Sequence, residues 1–167
     1  LGGEDFIEAW LDSKHTGQVS AIISQEAMAG DVPSLKQMIW LCDLCYNDAE
    51  NITRDRAEQT KRKKHFMQER ISFCQKAIEL GLMEHSYTAM ASCAKIVQLN
   101  DSLDDAATRD ALRGAVRYAK MFLESRNTDP GLIEDAKGVL ERYGRMDELF
   151  GATRTPSEPP ALSTVGD

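Results

Sequence analysis

Proline, glycine and aromatic residues are scarce in this 167-residue chain, which contains 5 prolines, 11 glycines and 7% Phe, Trp and Tyr. Few prolines and glycines leave few positions at which a helix must end, so the composition favours helices. Long apolar runs are also missing, and none approaches the roughly 18–20 residues that a membrane-spanning helix requires. We therefore expect a helical protein without a membrane span.

The residues that are present suit a folded domain. Hydrophobic residues make up 42% of the chain and charged residues 28%, which is enough for a buried core beneath a charged surface and excludes global disorder. The length predicts one domain or one array of small repeats.

The net charge of −7 is unevenly distributed along the chain. Residues 51–76 carry a net +5 and residues 109–126 a net +3, whereas the segments before, between and after them are acidic. An acidic chain is not expected to be a general binder of nucleic acid or of anionic membranes. The two basic segments instead favour a protein or peptide partner of acidic character.

Apolar residues recur with helical period along almost the whole chain, and sustained alternation of period two is absent. The pattern predicts about seven helices in an all-α domain covering residues 1–150. The first helix is short, at Phe6–Leu11, and the others form antiparallel hairpins over about 18–46, 66–99 and 103–145. Residues 151–167 contain most of the prolines and are predicted to form a tail without a core of its own.

Two glycines are predicted to end helices and to mark an internal repeat. Gly30 and Gly81 lie 51 residues apart, and each follows one predicted helix and precedes another. Asp31 or Ser34 is expected to cap the helix after Gly30, with Pro33 in its first turn. The same shift of 51 residues aligns Ile22 with Phe73, Ile39 with Met90, Cys42 with Cys93 and Tyr46 with Val97.

The stretches Ala27-Met28-Ala29-Gly30-Asp31-Val32-Pro33 and Cys74-Gln75-Lys76-Ala77-Ile78-Glu79-Leu80-Gly81 resemble the helix end and turn of Sel-like repeats, which are relatives of tetratricopeptide repeats. The resemblance is best over residues 18–99. It implies helical hairpins stacked as a short α-solenoid that presents a groove to a partner protein. The family repeat is shorter than 51 residues, so the resemblance also implies an insertion, which the charged stretch 47–64 can supply.

A stripe of basic residues on one predicted helix is the main candidate binding surface. Arg109, Arg113, Arg117 and Lys120 are separated by four, four and three residues, which places them on one helix face. Two hypotheses remain open for this basic stripe: acidic side chains of the same chain neutralise it, or it binds an acidic partner.

Aromatic residues complete the candidate partner-binding set. Trp40 and Tyr46 belong to it, because aromatic side chains are enriched at binding hot spots, although burial in the core is the commoner fate of tryptophan. The basic cluster Lys61-Arg62-Lys63-Lys64-His65 is the densest in the chain. It is consistent with a solvated helix face, with an acidic protein partner or with a nucleic-acid contact.

The four cysteines, Cys42, Cys45, Cys74 and Cys93, admit three interpretations. Cys42 and Cys45 have the spacing of a redox or zinc motif, but they lie in an apolar helical segment without a second closely spaced pair. Burial as small core residues is favoured over a disulfide and over metal or redox chemistry. The compartment stays open, with a cytoplasmic location slightly favoured over a periplasmic or exported one.

No catalytic residue, cofactor site or metal site is predicted from the sequence. The three histidines have no serine or cysteine at a recognisable catalytic spacing, and no phosphate-binding glycine loop occurs. We expect a non-catalytic protein–protein interaction module of unknown oligomeric state that acts as an adaptor, regulator or inhibitor. The alternatives are a bacterial toxin-immunity protein and a small helical metalloprotein or enzyme that uses its cysteines and histidines.

Overall fold

The computed structural model describes residues 16–99 and 105–152, and within these ranges every secondary-structure element is a helix. The six helices are α1 (Thr16–Met28), α2 (Val32–Ile52), α3 (Arg56–Glu79), α4 (His85–Leu99), α5 (Ala106–Glu124) and α6 (Pro130–Ala152). The all-α prediction is confirmed. The predicted first helix at Phe6–Leu11 and the tail beyond residue 152 lie outside the described residues.

Each helix packs mainly against the next helix in the sequence. The connections between consecutive described helices are short, except that the one before α5 includes residues outside the described ranges. Short connections make successive helices antiparallel. Additional contacts join α4 to α6 and α1 to α3.

Two glycine turns have the same hydrogen-bond pattern. Gly30 has a φ of 103° and Gly81 a φ of 90°, a left-handed conformation that favours glycine. In both turns the N–H groups of the glycine and of the next residue donate to carbonyls of the preceding helix, which is the Schellman pattern. The four bonds run from Gly30 to Ala27, from Asp31 to Glu26, from Gly81 to Ile78 and from Leu82 to Ala77. The predicted helix-ending role of both glycines is confirmed.

Aspartates cap three helix N-termini through side-chain hydrogen bonds to backbone N–H groups. Of the two predicted candidates, Asp31 caps α2, and its side chain accepts from the Ser34 N–H at 3.1 Å. Asp55 and Asp105 cap α3 and α5 in the same way. A fourth aspartate, Asp129, accepts from the Gly131 N–H at 2.9 Å, directly beside the proline that begins α6.

The charged stretch 47–64 differs from the expectation of an insertion between helices. α2 continues through it to Ile52 and α3 begins at Arg56, so only residues 53–55 separate the two helices. An ion pair between Lys63 and Glu50 at 2.7 Å joins the two helices here. The extra residues therefore lengthen two helices instead of forming a separate segment.

The core is continuous through all six helices and includes many small side chains. Leu35, Met67, Leu112 and Phe122 are among its largest fully buried members. α4 and α5 approach closely at Gly114, where a Cβ atom would lie 2.8 Å from the Cys93 Sγ atom. Gly114 thus allows these two helices to pack at short distance although glycine weakens a helix interior.

Candidate functional site

The basic stripe lies on the solvent face of α5, as its spacing predicts. Buried residues of the same helix, among them Leu112, Ala115, Ala119 and Phe122, occupy the opposite face. Arg113, Arg117 and Lys120 are exposed, and Arg109 is half-buried. A helix that buries one face so completely holds the cations of the other face at fixed spacing.

The chain's own acidic residues neutralise only part of this basic stripe. The Arg113 Nε atom lies 3.5 Å from a carboxylate oxygen of Asp147 on α6. Arg109 and Lys120 form no ion pair with any residue that the structure describes. Both hypotheses for the stripe therefore stay open: one cation is paired, and two are not paired within the described residues.

Arg117 contributes to the fold as well as to the stripe. Its guanidinium donates a hydrogen bond of 2.9 Å to the hydroxyl of Tyr118 and lies 4.7 Å from the centre of that ring. Tyr118 is 2% exposed, and burial raises the pKa of its phenol even though the Arg117 charge opposes this. Arg117 is thus held in place by a buried partner.

A groove of about 220 Å³ lies between α3 and α5, with Arg117 on one wall. The amide side chains of Gln68 and Gln75 line the α3 wall, and Asp110 joins Arg117 on the α5 wall. The groove offers amide donors and acceptors next to one positive and one negative charge. Gln68 and Gln75 were not singled out in the sequence, because α3 and α5 are distant along the chain.

Tyr46 lies between two lysines that come from different helices. The Lys63 Nζ atom is 5.2 Å and the Lys95 Nζ atom 4.7 Å from the centre of the Tyr46 ring, which are cation–π distances. Asp43 accepts an ion pair from Lys95 at 3.1 Å and from Arg70 at 3.4 Å, and so joins α2, α3 and α4. This network could not be predicted from the sequence, because it depends on contacts between distant segments.

A larger groove of about 520 Å³ lies between α4 and α6 and has Lys95 on its α4 wall. The Tyr87 hydroxyl donates a hydrogen bond of 2.7 Å to Asp135 across it, and Arg142 and Glu134 also line it. Burial and the Asp135 carboxylate raise the pKa of Tyr87 to about 12. This groove combines both signs of charge with small and apolar side chains.

The six predicted partner-binding residues do not form one cluster. Tyr46 contacts Lys95, which lines the α4/α6 groove, whereas Arg117 lines the α3/α5 groove. Trp40 lies on α2 with 37% of its surface exposed, so it is not a core residue. The structure therefore offers two separate candidate surfaces: the basic stripe with the α3/α5 groove, and the α4/α6 groove with Tyr46 nearby.

The basic cluster at residues 61–65 is largely paired with acidic residues of the same chain. Its ion pairs are Arg62 with Glu58, Lys63 with Glu50, Lys64 with Asp105, and His65 with Glu69 when the histidine is protonated. Lys63 and Lys64 are largely shielded, with 16% and 23% of their side chains exposed, whereas Arg62 and His65 are 39% and 60% exposed. The carboxylates of the same chain thus occupy most of this cluster and leave less of it available to a partner.

All four cysteines are buried free thiols, which confirms their predicted place in the core. Burial raises the pKa of Cys45 to about 11 and those of Cys74 and Cys93 to about 12, and it raises the pKa of Cys42 further. Cys42 and Cys45 line a cavity of about 230 Å³ between α1, α2 and α3. At neutral pH these thiols are protonated and poorly nucleophilic.

Within residues 16–99 and 105–152, no three His, Cys, Asp or Glu side chains are arranged to hold a metal ion. His85 is half-buried, and its Nε2 atom has no hydrogen-bond partner among the described atoms. Burial lowers the pKa of His85. In the same ranges, no helix has both the length and the apolar character needed to span a membrane.

Compared with known proteins, the chain matches no protein-family model, no curated protein and no solved structure.

Proposed function

We propose that the chain is a non-catalytic protein-binding module whose basic stripe on α5 binds an acidic segment of a partner protein. The observation that carries the proposal is the contrast between the two basic regions. Four of the five residues of the cluster at 61–65 meet carboxylates of their own chain. In the stripe only Arg113 does, and Arg109 and Lys120 have no such partner among the described residues. Cations at fixed spacing on a rigid helix favour the approach and orientation of an acidic partner.

We also propose that the helices stack as a short α-solenoid of the Sel-like or tetratricopeptide type. Three features support this arrangement: the sequential packing of helices, the two Schellman turns 51 residues apart, and the burial of aligned residues such as Cys42 and Cys93. Stacked hairpins form long grooves suited to a partner's peptide or helix. The α3/α5 groove lies beside the stripe and would lengthen the contact.

Reversing two charges of the stripe tests the binding proposal. Arg109→Glu combined with Lys120→Glu changes no ion pair seen within the described residues, so helicity and melting temperature should stay close to those of the parent. Affinity purification from the native cell, with quantitative mass spectrometry, should recover the parent's partner at least about tenfold less with this variant, which corresponds to about 1.4 kcal/mol of binding energy.

The matched control reverses the same number of charges elsewhere on the surface. Arg56→Glu combined with Lys61→Glu alters two exposed cations of α3. Recovery of the partner should stay close to that of the parent, because these residues lie outside the stripe. Equal recovery with both variants, or an equal loss with both, would contradict a specific role for α5.

A further inference from the structure

α6, the last described helix, has one side turned away from its neighbours. It packs mainly against α5 and slightly against α4, and its buried residues Ala136 and Tyr143 lie on the side that meets them. Five exposed residues on the other side fall within an arc of about 100° at helical spacing: Glu134, Asp135, Gly138, Arg142 and Arg145. These five residues define the outer face of α6.

The charge of this outer face changes sign along the helix. Glu134 and Asp135 place two carboxylates at one end, and Arg142 and Arg145 place two guanidinium groups at the other end. The two ends are about 12 Å apart, measured from Glu134 to Arg142. Glu141 lies at the side of the basic end, which therefore has an excess of one positive charge. The face thus has an acidic end and a basic end.

The chain itself neutralises little of this charge. Arg142 and Arg145 form no ion pair with any residue that the structure describes. Glu134 lies 3.9 Å from Lys137, one turn away on the same helix, and both side chains are largely exposed. Asp135 accepts a hydrogen bond from the Tyr87 hydroxyl, which leaves its negative charge in place. Both ends of the face therefore stay charged.

The outer face of α6 is complementary to a rotated copy of itself. In a two-fold dimer the same surface of each copy meets the other, so a face can pair with itself only if rotation brings opposite charges together. A two-fold axis that passes Gly138 at right angles to α6 makes the two helices antiparallel and places each acidic end over a basic end. A parallel arrangement would bring like charges together. Charge therefore selects the antiparallel dimer.

We propose that two copies of the chain associate through the outer face of α6, with the two α6 helices antiparallel and crossing at Gly138. Arg142 of each copy then pairs with Asp135 and Glu134 of the other copy, since a guanidinium fork suits carboxylate oxygens. A Cβ atom at position 138 would meet nothing within 4 Å in the chain itself, so the missing side chain leaves room for the second helix.

Two further features are consistent with this interface. Leu149, which is 65% exposed, lies on the same side of α6 about three turns after Gly138, and a second copy would shield it from water. The basic stripe of α5 takes no part in the contact. The dimer therefore does not depend on the proposed function, and it would carry two copies of the stripe.

Sedimentation of the full-length chain over a range of concentrations tests the proposal. The parent should form a dimer that dissociates on dilution. Arg142→Glu combined with Arg145→Glu makes both ends of the face acidic, and Glu134→Lys combined with Asp135→Lys makes both ends basic. Each double variant should raise the dissociation constant at least about tenfold, because like charges then meet at both ends.

Mixing the two double variants is the decisive measurement. In a mixed pair, each acidic end of one variant meets a basic end of the other, so a heterodimer should form although neither variant dimerises well alone. Different affinity tags on the two variants identify the heterodimer. Both variants keep a negative net charge, so a general attraction between oppositely charged proteins does not explain such pairing. Circular dichroism checks that each variant is folded, and Glu134→Lys alone replaces the acidic-end variant if Asp135→Lys reduces helicity.

The matched control is Arg56→Glu combined with Lys61→Glu, which changes the net charge as much as the two arginine substitutions do but lies on α3. Its dissociation constant should stay within about threefold of the parent's. Three outcomes would overturn the proposal: a parent that stays monomeric at the highest soluble concentration, a dimer that the α3 control weakens as much as the α6 variants do, and a mixture of folded variants that forms no heterodimer.

Discussion

Gly114 and Cys93 show how one pair of small residues sets the distance between two helices. A glycine in a helix interior costs about 1 kcal/mol relative to alanine. Here that cost is offset by close packing, since a Cβ atom at position 114 would lie 2.8 Å from the Cys93 Sγ atom, and Cys93 is 2% exposed. The sequence alone showed a buried cysteine but not the partner that requires it to be small.

Gly114→Ala should therefore destabilise the protein, by about 1–2 kcal/mol, because overpacking of a filled core outweighs the gain in helix propensity. In a Cys93→Ala background the sulfur is gone, and the same substitution should stabilise the protein by up to about 1 kcal/mol. Urea denaturation of the four proteins measures both effects as a double-mutant cycle. A substitution at position 114 with the same effect in both backgrounds would show that the contact does not limit packing.

At the scale of helices, the sequence predicted some ends and missed others for physical reasons. The glycine turns and the Asp31 cap depend on nearby residues only, so Gly30, Gly81 and Asp31 could be identified from the sequence. The third turn has Arg126, at a φ of 62°, where the other two have glycine, so no glycine marks it. It was still predictable, because Thr128-Asp129-Pro130 indicates a new helix start, and α6 begins at Pro130.

The stretch 47–64 was misjudged as an insertion because its apolar residues are sparse. Helix there depends on contacts between neighbouring helices: Ala49 is fully buried, and Lys63 pairs with Glu50. Apolar periodicity does not detect a helix that is stabilised by charge pairs and by one small buried residue. The basic stripe of α5 was recognised because the buried face of that helix is strongly periodic.

Asp43 connects three helices and should matter more than an exposed ion pair. Asp43→Asn removes the charge between Arg70 and Lys95, both of which are largely shielded from solvent, with 15% and 33% of their side chains exposed. Part of the attraction is lost to solvent screening, so we expect a destabilisation of about 1 kcal/mol. Chemical denaturation of the parent and of Asp43→Asn measures the difference in their unfolding free energies. This difference should be smaller at high salt than at low salt.

Glu50→Gln is the matched control for Asp43→Asn. Glu50 also accepts an ion pair, from Lys63, but its side chain is 64% exposed and it joins two helices instead of three. The control should have a smaller effect on the denaturation midpoint. Equal effects of the two substitutions would indicate that the position of Asp43 between three helices adds nothing to stability.

At the scale of the whole molecule, the buried thiols make stability depend on alkaline pH. The folded state raises the pKa of Cys45 from its ordinary value of 9.0 to about 11, so folding favours the protonated thiol. The stabilisation is fully present below pH 9 and is lost as the pH rises toward 11. The melting temperature should therefore fall over this range.

Cys45→Ala separates this effect from general alkaline denaturation. The variant should be less stable than the parent at neutral pH, because it leaves a small void. The gap between the two melting temperatures should narrow from pH 8 to pH 11, since only the parent carries the Cys45 thiol. A difference in melting temperature that stays constant from pH 8 to pH 11 would contradict the conclusion that the Cys45 thiol contributes to the pH dependence.

The placement of the predicted binding residues could not be derived from the sequence, because it depends on which helices become neighbours. Arg117 and Tyr46 lie beside different grooves. The α3/α5 groove takes one wall from α3, and the α4/α6 groove takes both walls from helices without predicted partner-binding residues. Helical spacing fixes the face of one helix at a time. The sequence therefore predicted which face of α5 carries the basic stripe, but it did not predict the groove between α3 and α5.

The distribution of the cysteines has a consequence for how the protein opens. Cys42 and Cys45 lie on α2, Cys74 on α3 and Cys93 on α4, so the buried thiols mark successive helices. Because each helix packs mainly against its sequence neighbours, we expect partial unfolding to spread from one helix to the next instead of involving every helix at once. A thiol reagent added under native conditions would modify each cysteine only when its helix opens. The order in which the four cysteines react would therefore show which helices open first, and no cysteine has to be introduced by mutation.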